Sequence, residues 1–83
     1  MVDIYDITFI KRGKNRMEIL KLLEKGEKTQ AQLHKESGIY RTHVRRTLLE
    51  LEEKGFVKCL NPKDRIYKLY GLTEKGNKVF KNI

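Results

Sequence analysis

Residues Thr29 to Gly55 read TQAQLHKESGIYRTHVRRTLLELEEKG, and this stretch decides the fold. Thr29 and Gln32 stand at the spacing of a capping box, in which a hydroxyl and an amide side chain satisfy free N–H groups at a helix start. The helix they open is short, with Ala31 and Leu33 expected to point inward and Ser37-Gly38 to end it. Glycine enters the left-handed region at no steric cost, which a sharp helix-to-helix turn demands. A second helix is expected from about Tyr40 to Lys54, closed by Gly55. With Val44 at the centre of its buried face and 100° per residue, Leu48 and Leu51 fall beside it. Thr42, Arg46 and Glu53 fall on the opposite side, flanked by His43 and Arg45. Leu49 lands on the outer half of this wheel, where a monomer gives it no role. Two helices joined by a short glycine-containing turn form a helix-turn-helix unit.

Upstream, Asn15 to Lys25 reads as a helix, with Arg16, Ile19, Leu20, Leu22 and Leu23 in one stripe and Gly26 at its end. Met1 to Gly13 is less legible: Ile4, Ile7, Phe9 and Ile10 fit one face of a helix or a strand, and periodicity does not decide between them. Its apolar content makes this segment, 1–13, a candidate dimer contact. Downstream, Phe56 to Leu60 and Ile66 to Tyr70 are two β-prone runs joined by Asn61-Pro62-Lys63-Asp64-Arg65, the signature of a hairpin with a basic tip. A last helix follows over 74–83, with Val79 and Phe80 as its apolar side. The fold class is therefore mainly α with a small β-hairpin: a winged helix-turn-helix with a three-helix core, a β wing over 56–70 and a C-terminal helix, its helix-turn-helix occupying 29–54 of a single domain, 1–83.

Nineteen basic residues against eleven acidic ones give a net charge of +8, which suits a polyanionic partner. The charge is segregated. Ser37 through Leu49 holds Arg41, Arg45 and Arg46 and no acid, whereas Glu50, Glu52 and Glu53 gather just beyond. The major groove of duplex DNA admits one helix, and the residues near its start on the solvent side meet base edges. Here those are Tyr40, Arg41, Thr42, His43, Arg45 and Arg46. Arginine pairs with guanine N7 and O6 through its planar fork. Thr42 and Arg46 centre this face, and Arg41 at its flank is better cast as a phosphate clamp. Thr29 and Gln30, at a helix start, are placed to hold a phosphate through free N–H groups. Lys63 and Arg65 on the hairpin would touch the adjacent backbone or enter the minor groove. His34 reads as a packed side chain where the two helices meet.

Other classes fit poorly. One cysteine excludes an internal disulfide and a multi-cysteine zinc cluster, and Cys59 sits in an apolar stretch as a small buried or half-buried side chain. Two histidines and one serine offer little nucleophilic chemistry, and no glycine-rich phosphate loop occurs, so no catalytic, metal or cofactor residues and no small-molecule ligand are expected. No apolar run approaches the roughly 20 residues of a membrane span. Asp3 and Asp6 precede any basic residue, unlike a secretory signal, and a lone thiol suits the cytoplasm.

Leu33 through Gly55, the run Val57-Lys58-Cys59-Leu60-Asn61-Pro62 and the segment Leu72-Thr73-Glu74-Lys75-Gly76 together resemble archaeal winged-helix transcriptional regulators of the broad MarR/ArsR-like class. The resemblance covers Arg16 to Phe80 and rests on the order and spacing of motifs. It implies double-stranded DNA as partner, a homodimer, and regulation of transcription. By position it gives Tyr40, Arg41, Thr42, His43, Arg45 and Arg46 the base-and-backbone role and Lys63 and Arg65 the wing-tip role. His34 departs from a position that is commonly alanine in that class, which would open the interhelix angle slightly, and Arg45 from one often occupied by serine. Two alternatives remain at this stage: a weakly specific chromatin- or RNA-binding protein, and a winged-helix protein-interaction module.

Overall fold

A computed structural model describes residues 3–83. Its elements run α1 (Ile4–Lys11), α2 (Lys14–Glu24), β1 (Lys28–Thr29), α3 (Gln30–Ser37), α4 (Arg41–Glu53), β2 (Val57–Cys59), β3 (Leu69–Leu72) and α5 (Glu74–Lys81). The core lies where α2, α3 and α4 converge, with β3 packed on α2 and β2 on α4. It buries Ile19, Leu20 and Leu23 from α2, Leu33 from α3, and Val44, Leu48 and Leu51 from α4. Phe56 and Val57 close it below the wing, Val79 seals it from α5, and Ile10 enters from α1. Fully burying a side chain of this kind contributes about 1.5–3 kcal/mol.

The first segment, ambiguous by periodicity, is a helix. Asp3 caps it, its Oδ1 accepting from the Tyr5 amide at 2.8 Å. Of the four apolar residues read there only Ile10 is fully buried; Ile7 and Phe9 pack partly against the core and Ile4 stands out in solvent. Met1 and Val2, part of the same segment, lie outside the described residues.

The helix-turn-helix follows the sequence closely. Thr29 Oγ1 accepts from the Gln32 amide at 3.1 Å and Gln32 Oε1 accepts from the Thr29 amide at 2.8 Å, completing the capping box. Gly38 adopts φ of 76°, the left-handed conformation the turn needs. Ser37 Oγ donates to the Leu33 carbonyl at 2.6 Å and accepts from the Ile39 amide at 3.0 Å. His34 Nδ1 meets the Ile39 carbonyl at 2.6 Å, so the histidine is a packed fastener of the turn. One expectation changes and one residue is added. Ala31 is exposed because α3 turns only Leu33 into the core, and Thr47 joins Val44, Leu48 and Leu51 on the buried face of α4.

The sheet has three antiparallel strands in the order β1-β3-β2, with Lys28 opposite Tyr70 and Val57, Lys58 and Cys59 opposite Leu72, Gly71 and Tyr70. The strand β1 had no signal of its own: two residues before a helix cap carry no period. The second wing strand also lies later than the β-prone run Ile66–Tyr70 indicates. Asp64 Oδ1 accepts from the amides of Ile66 and Tyr67, both at 2.9 Å. Asn61 Nδ2 donates to the Tyr67 carbonyl at 2.7 Å while its Oδ1 accepts from the Leu69 amide at 2.6 Å. Side chains thus take the backbone groups that a ladder would use, and Ile66 to Lys68 remain in the wing loop. Among the described residues no helix is long and apolar enough to cross a membrane.

Candidate nucleic-acid interface

The exposed side of α4 is the centre of the site. Burial of Val44, Thr47, Leu48 and Leu51 fixes the helix's rotation, so Arg41, Thr42, His43, Arg45 and Arg46 all face solvent. No acid lies in the first turn, and Tyr40 at the N-cap makes no side-chain cap bond. The first amides of α4 therefore have no intrahelical acceptor, and the positive end of the helix lies open beside the arginines. Tyr40 is 74% exposed and meets His43 edge to face, ring centroids 5.9 Å apart.

Two hollows flank this helix. On the wing side, Arg41, Thr42 and Arg45 share one with Gln30, Ala31 and Ile66. It continues past Arg45 and Leu49 toward Arg65, Lys68 and Tyr70. Burial pushes the Tyr70 phenol above its ordinary value, with Cys59 and Glu52 adding to the shift, so this floor residue stays neutral. On the other side, His43 and Arg46 share a hollow with Arg12 of the α1–α2 turn and with Lys14 and Asn15 at the start of α2. The acid near it, Glu50, is engaged by Arg16 at 3.2 Å.

The sequence-selected residues are placed as follows. Tyr40, Arg41, Thr42, His43, Arg45 and Arg46 form one surface, divided so that Thr42 and Arg45 open toward the wing and His43 and Arg46 toward the α1–α2 turn. Gln30 joins them at the start of α3. Thr29 is spent on the capping box, which leaves the amides of Gln30 and Ala31 as those without an intrahelical acceptor. Arg65 lines the wing-side hollow together with Arg45, whereas Lys63 is exposed on the wing loop and lines neither hollow. Sequence reasoning passed over Arg12, Lys14, Asn15, Ile66 and Lys68. The run Lys11-Arg12-Gly13-Lys14 carried a signal in its charge. Ile66 carried none, since it reads as a strand residue.

The family described as HVO_A0261 N-terminal domain matches residues 4–83, nearly the whole chain. The chain belongs to that family. A search of curated proteins returned no match. Among solved structures, this HVO_A0261 N-terminal domain is similar to a double mutant of Lactococcus lactis ZitR, at 28% identity and a TM-score of 0.75, covering 84% of this chain and 49% of that one. Wild-type ZitR in complex with DNA is similar at 29% identity and a TM-score of 0.72, covering 81% and 47%. A cysteine-to-serine mutant of MarR from E. coli, complexed with operator DNA, is 26% identical with a TM-score of 0.72, covering 80% and 49%. The HVO_A0261 N-terminal domain thus has the winged-helix fold of the MarR-like regulators, and the chain spans about half the length of the solved relatives it matches.

Proposed function

We propose that this protein is a transcriptional regulator that binds double-stranded DNA, with α4 in the major groove and the wing on the adjacent backbone or minor groove. The observation that carries the reading is the exposed N-terminal part of α4, free of acids from Arg41 to Leu49, on which Arg41, Thr42, His43, Arg45 and Arg46 stand together beside the open positive helix end. The two MarR-like structures solved with DNA support it.

In this reading Arg46 and Arg45 pair with base edges or phosphates, Thr42 offers a hydroxyl and a methyl, and Arg41 clamps the backbone. The Gln30 and Ala31 amides take a phosphate at the start of α3, and Lys63 and Arg65 extend the contact along the wing. The working unit is a homodimer in the cytoplasm, reading two half-sites about one helical turn apart. Ile4 and Tyr5, 71% and 80% exposed on α1, are the apolar surface offered to the second chain. The module binds and does no catalysis.

Selection of bound duplexes from a random library tests the reading. Enrichment of a pseudo-palindrome is the expected result. Recovery of unrelated sequences, or stronger retention on structured RNA, would favour a weakly specific polyanion binder instead.

A further inference from the structure

The wing holds an apolar side chain in a place where folding gains nothing from it. Ile66 is 79% exposed, yet the peptide groups on either side are held by Asp64 and Asn61. Ordering a loop costs backbone entropy, and an isoleucine left in water does little to offset it. Leu49, 52% exposed on α4, lines the same hollow, so two apolar side chains from different elements share one cleft. Arg45, Arg65 and Lys68 surround them.

A purely ionic site for phosphates has no use for this apolar strip, and an apolar protein partner would have to desolvate three cations to reach it. The sugar-phosphate backbone of DNA satisfies both demands, because anionic phosphates alternate with apolar deoxyribose edges. We propose that Ile66, with Leu49 opposite, packs against a deoxyribose of the strand lying between α4 and the wing, and so selects deoxyribose over ribose. With Arg45, Arg65 and Lys68 engaged by the flanking phosphates, a 2′-hydroxyl pressed onto Ile66 and Leu49 would lose water and gain no partner from them, which is costly. The inference rests on the duplex-binding reading above and adds a specificity determinant to it.

The test is fluorescence anisotropy with a selected DNA duplex and copies carrying one ribonucleotide at successive positions. The wild-type protein is compared with Ile66→Ala and Ile66→Leu over a salt series. Wild type is expected to bind the copies with a ribose at one or two positions about five- to twentyfold more weakly. Ile66→Ala should weaken binding to all-DNA duplex roughly three- to tenfold, leave the salt slope unchanged and erase the ribose penalty, while Ile66→Leu retains it. An unchanged thermal melt certifies that these variants fold. The proposal is overturned if Ile66→Ala binds like wild type or alters the salt slope. It is equally overturned if sedimentation shows Ile66→Ala shifting self-association with DNA affinity intact, since the strip then belongs to a second copy. Failure of wild type to bind any duplex would remove the parent reading as well, so the two failures are distinguishable.

Discussion

The Arg16 guanidinium lies 3.8 Å from the centroid of the Phe9 ring and donates from Nη1 to the Phe9 carbonyl at 2.6 Å. That carbonyl belongs to the last turn of α1, where helix carbonyls lack intrahelical donors. With Nη2 reaching Glu50 at 3.2 Å, one side chain ties α1 and α2 to the far half of α4. An arginine within an otherwise apolar stripe is thereby explained.

Arg16→Met is accordingly expected to destabilise the fold by about 1.5–3 kcal/mol, through the lost charged hydrogen bond and ring contact. Arg16→Lys should recover only part of this, since an ammonium lacks the planar fork. Glu50→Gln should cost less than about 1 kcal/mol, because the pair is partly exposed. Urea midpoints of the three variants check the order, and equal losses for all three would contradict it.

Gly76 sits inside α5, where alanine would ordinarily gain about 1 kcal/mol in helix propensity. A Cβ there would collide with the carbonyl of Phe56, which is backbone and cannot swing aside. The Phe56 carbonyl also accepts from the Thr73 amide at 3.0 Å, holding it in place. Gly76→Ala is therefore expected to destabilise by about 1–3 kcal/mol net. Thermal melting should show a drop of roughly 4–8 °C per kcal/mol. An increase in Tm would show that α5 can lift away from the wing.

The wing loop should be sensitive to acid before the core is. The amides of Tyr67 and Ile66 donate to Asp64 and hold its carboxyl below its ordinary value. A carboxylate with a depressed folded pKa contributes order that is complete above the ordinary value, about pH 3.9, and is lost as pH falls through the lower folded one. Amide shifts of Ile66 and Tyr67 should therefore titrate in this acidic window. Asp64→Asn, which keeps an oxygen acceptor, should preserve slow hydrogen exchange at both amides at neutral pH, and Asp64→Ala should lose it. Equal protection in both variants would remove Asp64 from this role.

Much of this architecture was legible in the residues themselves. The capping box, the turn at Gly38 and the rotation of α4 follow from local chemistry, and the structure reproduces them. What escaped depends on partners distant in sequence. The two residues of β1 are a strand only because Tyr70 and Leu69 lie beside them. Ile66 looks like a strand residue until Asp64 captures its amide. The exposure of Leu49 was readable from the wheel, but its neighbour Ile66 was not, because the wing had first to fold back toward α4. Arg12 and Lys14 are placed near His43 and Arg46 by the packing of α2 on α4, which no local pattern encodes.

The central claim is that the arginine face of α4 binds duplex DNA, and salt-dependent affinity tests it most directly. Anisotropy with a selected duplex should give log K falling linearly with log salt, by roughly 0.9 per phosphate contacted, for about 6–8 contacts per dimer. The double variant Arg45→Ala/Arg46→Ala, altered only at exposed positions, should keep its melting temperature. Its affinity should drop at least about tenfold, with weaker base discrimination and a shallower slope wherever a phosphate contact is lost. Binding that is indifferent to salt, or a double variant that matches wild type in affinity, slope and base discrimination, would contradict the account.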